Sequence, residues 1–173
     1  MTEHSVTLRE LLDSRERRAA RQRELLAAYG GEDGILLSVT LNIPGPVKDR
    51  PQYRRAMEEG LRRLRGLLPE EAVVHEETHN LHTGPEGYLC LDGNSMNPLQ
   101  AKQMAVEAEE ADGLGRLLDI DVITAAGGVS RSDLGLSGRR CLLCGEDAKV
   151  CARSQRHPME ELLAEIDRIL TGF

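Results

Sequence analysis

Gly115-Arg116-Leu117-Leu118-Asp119-Ile120-Asp121-Val122-Ile123 is the stretch on which the fold turns. Its apolar residues, Leu117, Leu118, Ile120, Val122 and Ile123, lean towards β structure, so the stretch reads as a strand. Side chains alternate faces along a strand. Leu118, Ile120 and Val122 therefore enter a core, while Asp119 and Asp121 share the opposite face, about 7 Å apart along the chain. Two like charges so placed repel unless a cation sits between them. Magnesium suits the position, because it takes hard oxygen ligands from one or two carboxylates and the rest from water or phosphate. Arg116, just upstream, brings a guanidinium that matches phosphate geometry to the same mouth. The pattern points to metal-dependent chemistry on a phosphorylated substrate, with Asp119 and Asp121 as magnesium ligands and Arg116 beside them. The competing reading is an edge strand with a solvated acidic face, and the short D-x-D triplet alone does not separate the two.

Working back from this strand, Gly113-Leu114-Gly115 ends a helix that runs from Asn97-Pro98 to Asp112, with Pro98 suited to a first turn. Before it, Glu71 to Glu77 and Tyr88 to Leu91 read as strands joined by the turn Thr83-Gly84-Pro85-Glu86-Gly87, a hairpin. His75, His79 and His82 fall near this hairpin at helix-like spacing and read as surface polar residues. Gln52 to Leu68 is a helix with Tyr53, Met57, Leu61, Leu64 and Leu68 on one stripe. Ile35 to Ile43 is the first strand. The order over residues 35–123 is β-α-β-β-α-β, the α+β, ferredoxin-like (split βαβ) pattern, which places helices on one face of an antiparallel sheet.

Two segments flank this core. Thr7-Leu8-Arg9-Glu10 is a capping box that opens an N-terminal helix within residues 1–31, and Gly30-Gly31 ends it. The middle of that helix, Arg15 to Arg23, carries five arginines. It reads as a solvated face with Glu/Arg pairing, or as a basic surface for an acidic partner or for phosphates. Pro44-Gly45-Pro46-Val47-Lys48-Asp49-Arg50-Pro51 follows the first strand. Its Lys48 and Arg50 stand in a loop at a strand end, where α/β proteins place ligand groups. At the other end, residues 139–173 hold a cysteine- and arginine-rich segment and a last helix opened by Pro158, with Met159, Leu162, Leu163, Ile166, Ile169 and Leu170 on its apolar face.

Cys141-x2-Cys144-x6-Cys151-x5-His157 offers three thiolates and an imidazole, a ligand set that tetrahedral zinc takes. The competing readings are reduced thiols packed beside the last helix and a redox or nucleophilic cysteine. Arg139, Arg140, Arg153 and Arg156 surround the cysteines as a second basic cluster, and locally focused positive charge suits phosphates even in an acidic chain.

The 173 residues fit one domain, and 40% apolar with 29% charged residues describes a folded, water-soluble chain. A net charge of −7, no Trp, one Phe and three Tyr argue against general nucleic-acid binding, which needs a basic face or stacking platforms. Met1 to Val6 lacks the basic and apolar regions of a signal peptide, and the longest apolar run is far short of the roughly 20 residues of a membrane span. The expectation is a cytoplasmic protein with cysteines as thiols or metal ligands.

Several ordered motifs together resemble one family. They are Leu12-Asp13-Ser14-Arg15-Glu16-Arg17-Arg18-Ala19-Ala20-Arg21-Gln22, Pro44-Gly45-Pro46-Val47-Lys48-Asp49, Gly84-Pro85-Glu86-Gly87, Gly115 to Val122, and Arg139-Arg140-Cys141-Leu142-Leu143-Cys144 through Cys151-Ala152-Arg153 to His157. On these the chain resembles the apo-citrate lyase phosphoribosyl-dephospho-CoA transferases, or holo-citrate lyase synthases, over nearly its whole length as a single transferase domain. The resemblance implies transfer of the phosphoribosyl-dephospho-CoA unit from its triphosphate precursor, triphosphoribosyl-dephospho-CoA, to a serine of the citrate lyase acyl carrier (gamma) subunit, with diphosphate released. Such chemistry needs metal to neutralise the triphosphate. Asp119 and Asp121 are expected to hold magnesium. Arg116, Lys48, Arg50, Arg140 and Arg153 are expected to contact substrate, and Cys141, Cys144, Cys151 and His157 to hold zinc if the cluster is structural. The Gly-Arg then D-x-D strand also looks like that of pterin pyrophosphokinases, which share the ferredoxin-like fold. The D-h-D pattern equally resembles a nucleotidyltransferase-like α/β fold, but no Gly-Ser helix start stands at the expected distance upstream. Rival functions are a zinc-binding docking module for the carrier and a pyrophosphokinase or nucleotidyltransferase with a small-molecule acceptor.

Overall fold

The structure is a computed structural model and describes residues 4–173. Met1, Thr2 and Glu3, on which the signal-peptide reading partly rests, lie outside the described residues. The elements run α1 (Leu8–Leu25), β1 (Ile35–Leu41), α2 (Pro51–Leu67), β2 (Val73–Leu81), β3 (Gly84–Leu91), α3 (Pro98–Glu110), α4 (Gly113–Leu117), β4 (Leu118–Thr124), β5 (Gly127–Val129), α5 (Ala148–Ser154) and α6 (Met159–Thr171). The five strands form one antiparallel sheet in the order β2-β3-β1-β4-β5.

The apolar face of β4 carries Leu118, Ile120 and Val122, each 1% exposed, as alternation requires. They meet Leu37, Val39, Leu89, and Met57, Leu61 and Leu64 of α2, with Ala101, Ala105 and Ala108 of α3. Gly60 lets α2 approach this face: a Cβ there would lie 2.5 Å from the Leu118 side chain. A second core joins α2, α4 and α6 through Tyr53, Ala56, Leu114, Leu117, Ile166 and Leu170. α1 crosses the other face of the sheet, where Leu25 packs with Leu36, Tyr88 and Cys90.

Two local boundaries that differ from the sequence reading bear on the site. Residues 113–117 form the short helix α4 rather than a lead into the strand. The Asp112 side chain caps it by accepting from the Gly115 amide at 2.9 Å. Gly115 is required there, because a Cβ would lie 2.2 Å from the Ala108 carbonyl oxygen. The hairpin turn is also tighter than expected. β2 runs to Leu81, and Gly84, at φ 117°, already begins β3, so Pro85, Glu86 and Gly87 are strand residues. The charge of Glu86 reads as turn-like in isolation, but its partners arrive from α1, far away in sequence.

β5 covers β4 only at Val122–Thr124. The exposed edge beside it is closed by α3: the Ile120 amide donates to Glu109 at 2.9 Å, and Lys102 donates to the Ile120 carbonyl at 3.1 Å. Arg131 in turn reaches Glu109 at 2.6 Å. Unpaired strand groups are thereby satisfied, which protects the edge from pairing with another chain. No helix among the described residues is long and apolar enough to cross a membrane.

Candidate active site

Register builds the site. On the face under α1, Asp119 lies opposite Thr40, Thr40 opposite Glu86, and Glu86 opposite His79. The next row is Asp121, Ser38, Tyr88 and Glu77. Four carboxylates thus share one sheet face. α1 neutralises two of them. Arg18 donates to Glu86 at 3.0 Å, Arg17 reaches the same oxygen at 3.3 Å, and Arg21 grips Glu77 through two bonds of 2.6 and 2.7 Å. Gln22 donates to Ser38 at 2.9 Å in the middle of the face. His75 and His79 both bond Glu77, so the longer β2 does place these two histidines on one face, while His82 reaches Glu10 from the turn. Hydrogen bonds from Arg21 hold the Glu77 carboxyl well below the ordinary carboxylate range.

Asp119 and Asp121 are left over on the β4 side. Asp121 makes no hydrogen bond or ion pair among the described residues. The residue is exposed to solvent, yet surrounding protein, and then the charge of Asp119, push its pKa up. Among the described residues, the Asp119 side chain makes one ion pair, to Arg139 at 3.4 Å. An unrelieved carboxylate pair of this kind fits a divalent cation with oxygen ligands.

Beside Asp119 opens a polar cavity of about 200 Å³, lined by Arg15 and Arg18 of α1, Thr40 and Asn42, and Lys48 of the proline-rich loop. Lys48 donates to the Ile43 carbonyl; burial first, and then the charge of Arg15, lower its pKa. A lysine whose charge burial and a neighbouring arginine disfavour, with Arg15 in no ion pair among the described residues, suits a bound polyanion.

The cysteine segment converges as its spacing suggests. Ligand atoms of Cys141, Cys144, Cys151 and His157 all lie within 4.8 Å of one another. Cys144 Sγ is 3.5 Å from Cys151 Sγ and 3.4 Å from His157 Nε2. With zinc–sulfur bonds of about 2.3 Å, tetrahedral ligands sit roughly 3.8 Å apart, so the donor set fits zinc closely. The thiols are unequal. Burial opposes ionisation of Cys141, but amide hydrogen bonds from Leu143 and Cys144 outweigh it and lower its pKa. Burial and the neighbouring thiols push Cys151 up to about 12.

The expected substrate contacts divide. Lys48 enters the cavity beside Asp119. Arg116 turns the other way and donates to the carbonyls of Arg140 at 2.7 Å and Cys141 at 3.1 Å, because α4 carries it towards the cysteine segment. Arg50 lies 3.8 Å from Asp167 of α6 and over the Tyr53 ring. Arg140 donates to the Gly145 carbonyl at 2.6 Å, inside the knuckle. Arg153 is exposed on α5. Sequence reading did not single out Thr40 and Asn42, and it met Arg15, Arg18 and Arg139 only as members of the two basic clusters. Arg15 and Arg18 had a signal, since a spacing of three puts them on one helix face; Arg139 had none beyond its place in the basic cluster.

Comparison with known proteins agrees with this arrangement of motifs. Residues 6–173 match the family described as apo-citrate lyase phosphoribosyl-dephospho-CoA transferase. A probable transferase of that name from Streptococcus pyogenes serotype M18 is 35% identical over 173 residues, covering 98% of this chain and 88% of the relative. An Escherichia coli O1:K1 protein of the same name is 38% identical over 170 residues, covering 96% of this chain and 90% of the relative. With its carboxylate pair, basic cavity and cysteine knuckle all inside the matched span, the chain belongs to the apo-citrate lyase phosphoribosyl-dephospho-CoA transferase family.

Proposed function

We infer that this chain transfers the phosphoribosyl-dephospho-CoA group to apo-citrate lyase, and that the acceptor is a serine of the acyl carrier (gamma) subunit. The observation that carries the site assignment is the carboxylate pair Asp119 and Asp121 on one face of β4, of which Asp119 lines a cavity together with Arg15, Arg18 and Lys48. The donor is the triphosphate precursor. The serine oxygen attacks the α-phosphorus, a new phosphodiester P–O bond forms, and the bond to the departing diphosphate breaks with its electron pair. The serine proton leaves to solvent or to a carboxylate of the pair. If His157, whose Nε2 lies 3.4 Å from Cys144 Sγ, binds zinc, it is not that base.

Magnesium held by Asp119 and Asp121 would neutralise the triphosphate during in-line displacement. Arg15 and Lys48 orient the β- and γ-phosphates, and Arg139 steadies Asp119. Arg116 is a tether: its bonds to the Arg140 and Cys141 carbonyls fix the cysteine segment against α4. We further propose structural zinc at Cys141, Cys144, Cys151 and His157, and a ferredoxin-like core. The latter reading is supported by the β-α-β-β-α-β succession and the antiparallel run β4-β1-β3-β2, with β5 added at the edge.

The test is the intact mass of purified apo-carrier after incubation with this protein, triphosphoribosyl-dephospho-CoA and magnesium. The wild-type chain should add the prosthetic group. Folded Asp119→Asn and Asp121→Asn variants should lose at least about 100-fold in rate. Full transfer by both variants would move the site elsewhere.

A further inference from the structure

We propose that the pantetheine arm of the transferred group lies in the apolar cleft between the cysteine segment and α6, which meets the basic cavity at Asn42. The proposal rests on the functional reading above and adds where the donor's uncharged length is held. The cleft has a volume of about 630 Å³, and its walls include Pro44, Leu142, Met159, Leu162 and Ile166. That is the size and character of a small-molecule site, mostly apolar with few polar groups.

Its position makes the assignment. Asn42 lines both this cleft and the polar cavity beside Asp119. The Asn42 amide donates to the Leu117 carbonyl at 2.8 Å, which fixes the residue to the end of α4, one residue before β4. Its carboxamide makes no hydrogen bond among the described residues and is free for a ligand. Two adjoining spaces of opposite character therefore meet at one polar residue. The donor has the same division. At its two ends stand a triphosphate, a compact polyanion, and a pantetheine arm, long, thin and uncharged, with amides spaced along an aliphatic chain; an adenosine diphosphate unit joins them. The polyanion suits Arg15, Arg18 and Lys48, whereas the arm suits a cleft of proline, leucine, methionine and isoleucine. Cys141, Cys151 and His157 form part of the same wall, so an ordered knuckle also shapes the cleft.

The probe is dephospho-CoA, titrated calorimetrically against the full chain, with inorganic triphosphate titrated separately for the basic cavity. Ala152→Trp fills the cleft from an exposed position on α5, and Leu162→Trp fills it from α6. Thermal melting establishes that each is folded, and the two positions lie on different elements. Dephospho-CoA should bind at least about tenfold more weakly to either variant, with triphosphate affinity kept within about twofold. In the carrier-loading assay the donor KM should rise with kcat unchanged, the signature of lost uniform binding. Carrier loading by the wild-type chain together with unaltered dephospho-CoA affinity and donor KM in both variants would overturn the cleft assignment alone. A wild-type chain that never loads folded carrier would overturn the functional reading, and the cleft assignment with it.

Discussion

Asp121 is a residue whose ionised form the fold disfavours. Its pKa is raised by surrounding protein and by Asp119, so the folded state holds a proton more tightly than the unfolded chain does. The sign of the linkage follows. Stability falls as pH rises from the unfolded carboxylate pKa through the raised folded one, and the full cost is present at neutral pH. Asp121→Asn should therefore stabilise the metal-free protein at pH 7. The side chain remains partly in water, so the gain is discounted to about 0.5–1 kcal/mol, or about 1–4 °C in melting temperature. The gain should shrink in acid, where the wild-type carboxyl is protonated as well. Glu86, on the same face and 3% exposed, is instead paired, with Arg17 and Arg18. Glu86→Gln strips the partner from Arg17 and Arg18 and should cost about 2–3 kcal/mol. Paired melts at pH 7 and pH 4 check this, and a destabilised Asp121→Asn protein would remove the argument that the pair awaits a cation.

At the scale of elements, the cysteine segment is a small unit held to the sheet by arginines. Arg116 bonds two of its carbonyls, while Arg139 donates to the Arg116 carbonyl at 2.9 Å and reaches Asp119. Its own regular structure is short: an isolated bridge between Arg140 and Asp147, then the seven residues of α5. A segment with so little secondary structure and so few apolar contacts needs a further cross-link to stay ordered, and metal binding supplies one in small units of this type. Purified from zinc-supplemented medium, the chain should carry about one zinc, measured by elemental analysis. Chelation, or Cys144→Ser, should open residues 139–157 to limited proteolysis while the sheet resists. A zinc content near zero, with no shift in melting temperature on adding zinc, would leave the cluster as packed thiols. The ligand set was readable in the sequence because chain spacing alone brings Cys141, Cys144, Cys151 and His157 together. The tethers were not, since a guanidinium reaching a backbone carbonyl leaves no side-chain pattern to read.

Across the whole molecule, the same contrast decides what was legible. Leu118, Ile120 and Val122 point inwards, and Asp119 with Asp121 outwards, as period-two alternation requires; the longer helices and strands could likewise be read from periodicity, whereas the short α4, β5 and α5 could not. What escaped was the second layer. Arg17, Arg18 and Arg21 looked like a solvated run, because Glu86 and Glu77 lie more than fifty residues away and only sheet register places them under α1. That pairing decides the electrostatics of the site. The chain as a whole carries −7 and repels a polyanionic donor, yet three cations gather at one cavity, two of them where α1 crosses the sheet. Attraction is then local and works against a repulsive background, so it should be strongly screened. As ionic strength rises from about 0.01 to about 0.1 M, the Debye length falls from about 30 to about 10 Å. Donor KM should rise several-fold over that range with kcat steady, because binding changes while the displacement step does not. Arg15→Gln removes a cavity cation that has no ion pair among the described residues. It should raise KM about tenfold at low salt and flatten the salt dependence, since less attraction remains to screen. Steady-state kinetics at a series of salt concentrations decide the matter. A KM indifferent to salt in the wild-type chain, or a slope unchanged by Arg15→Gln, would place the triphosphate away from α1.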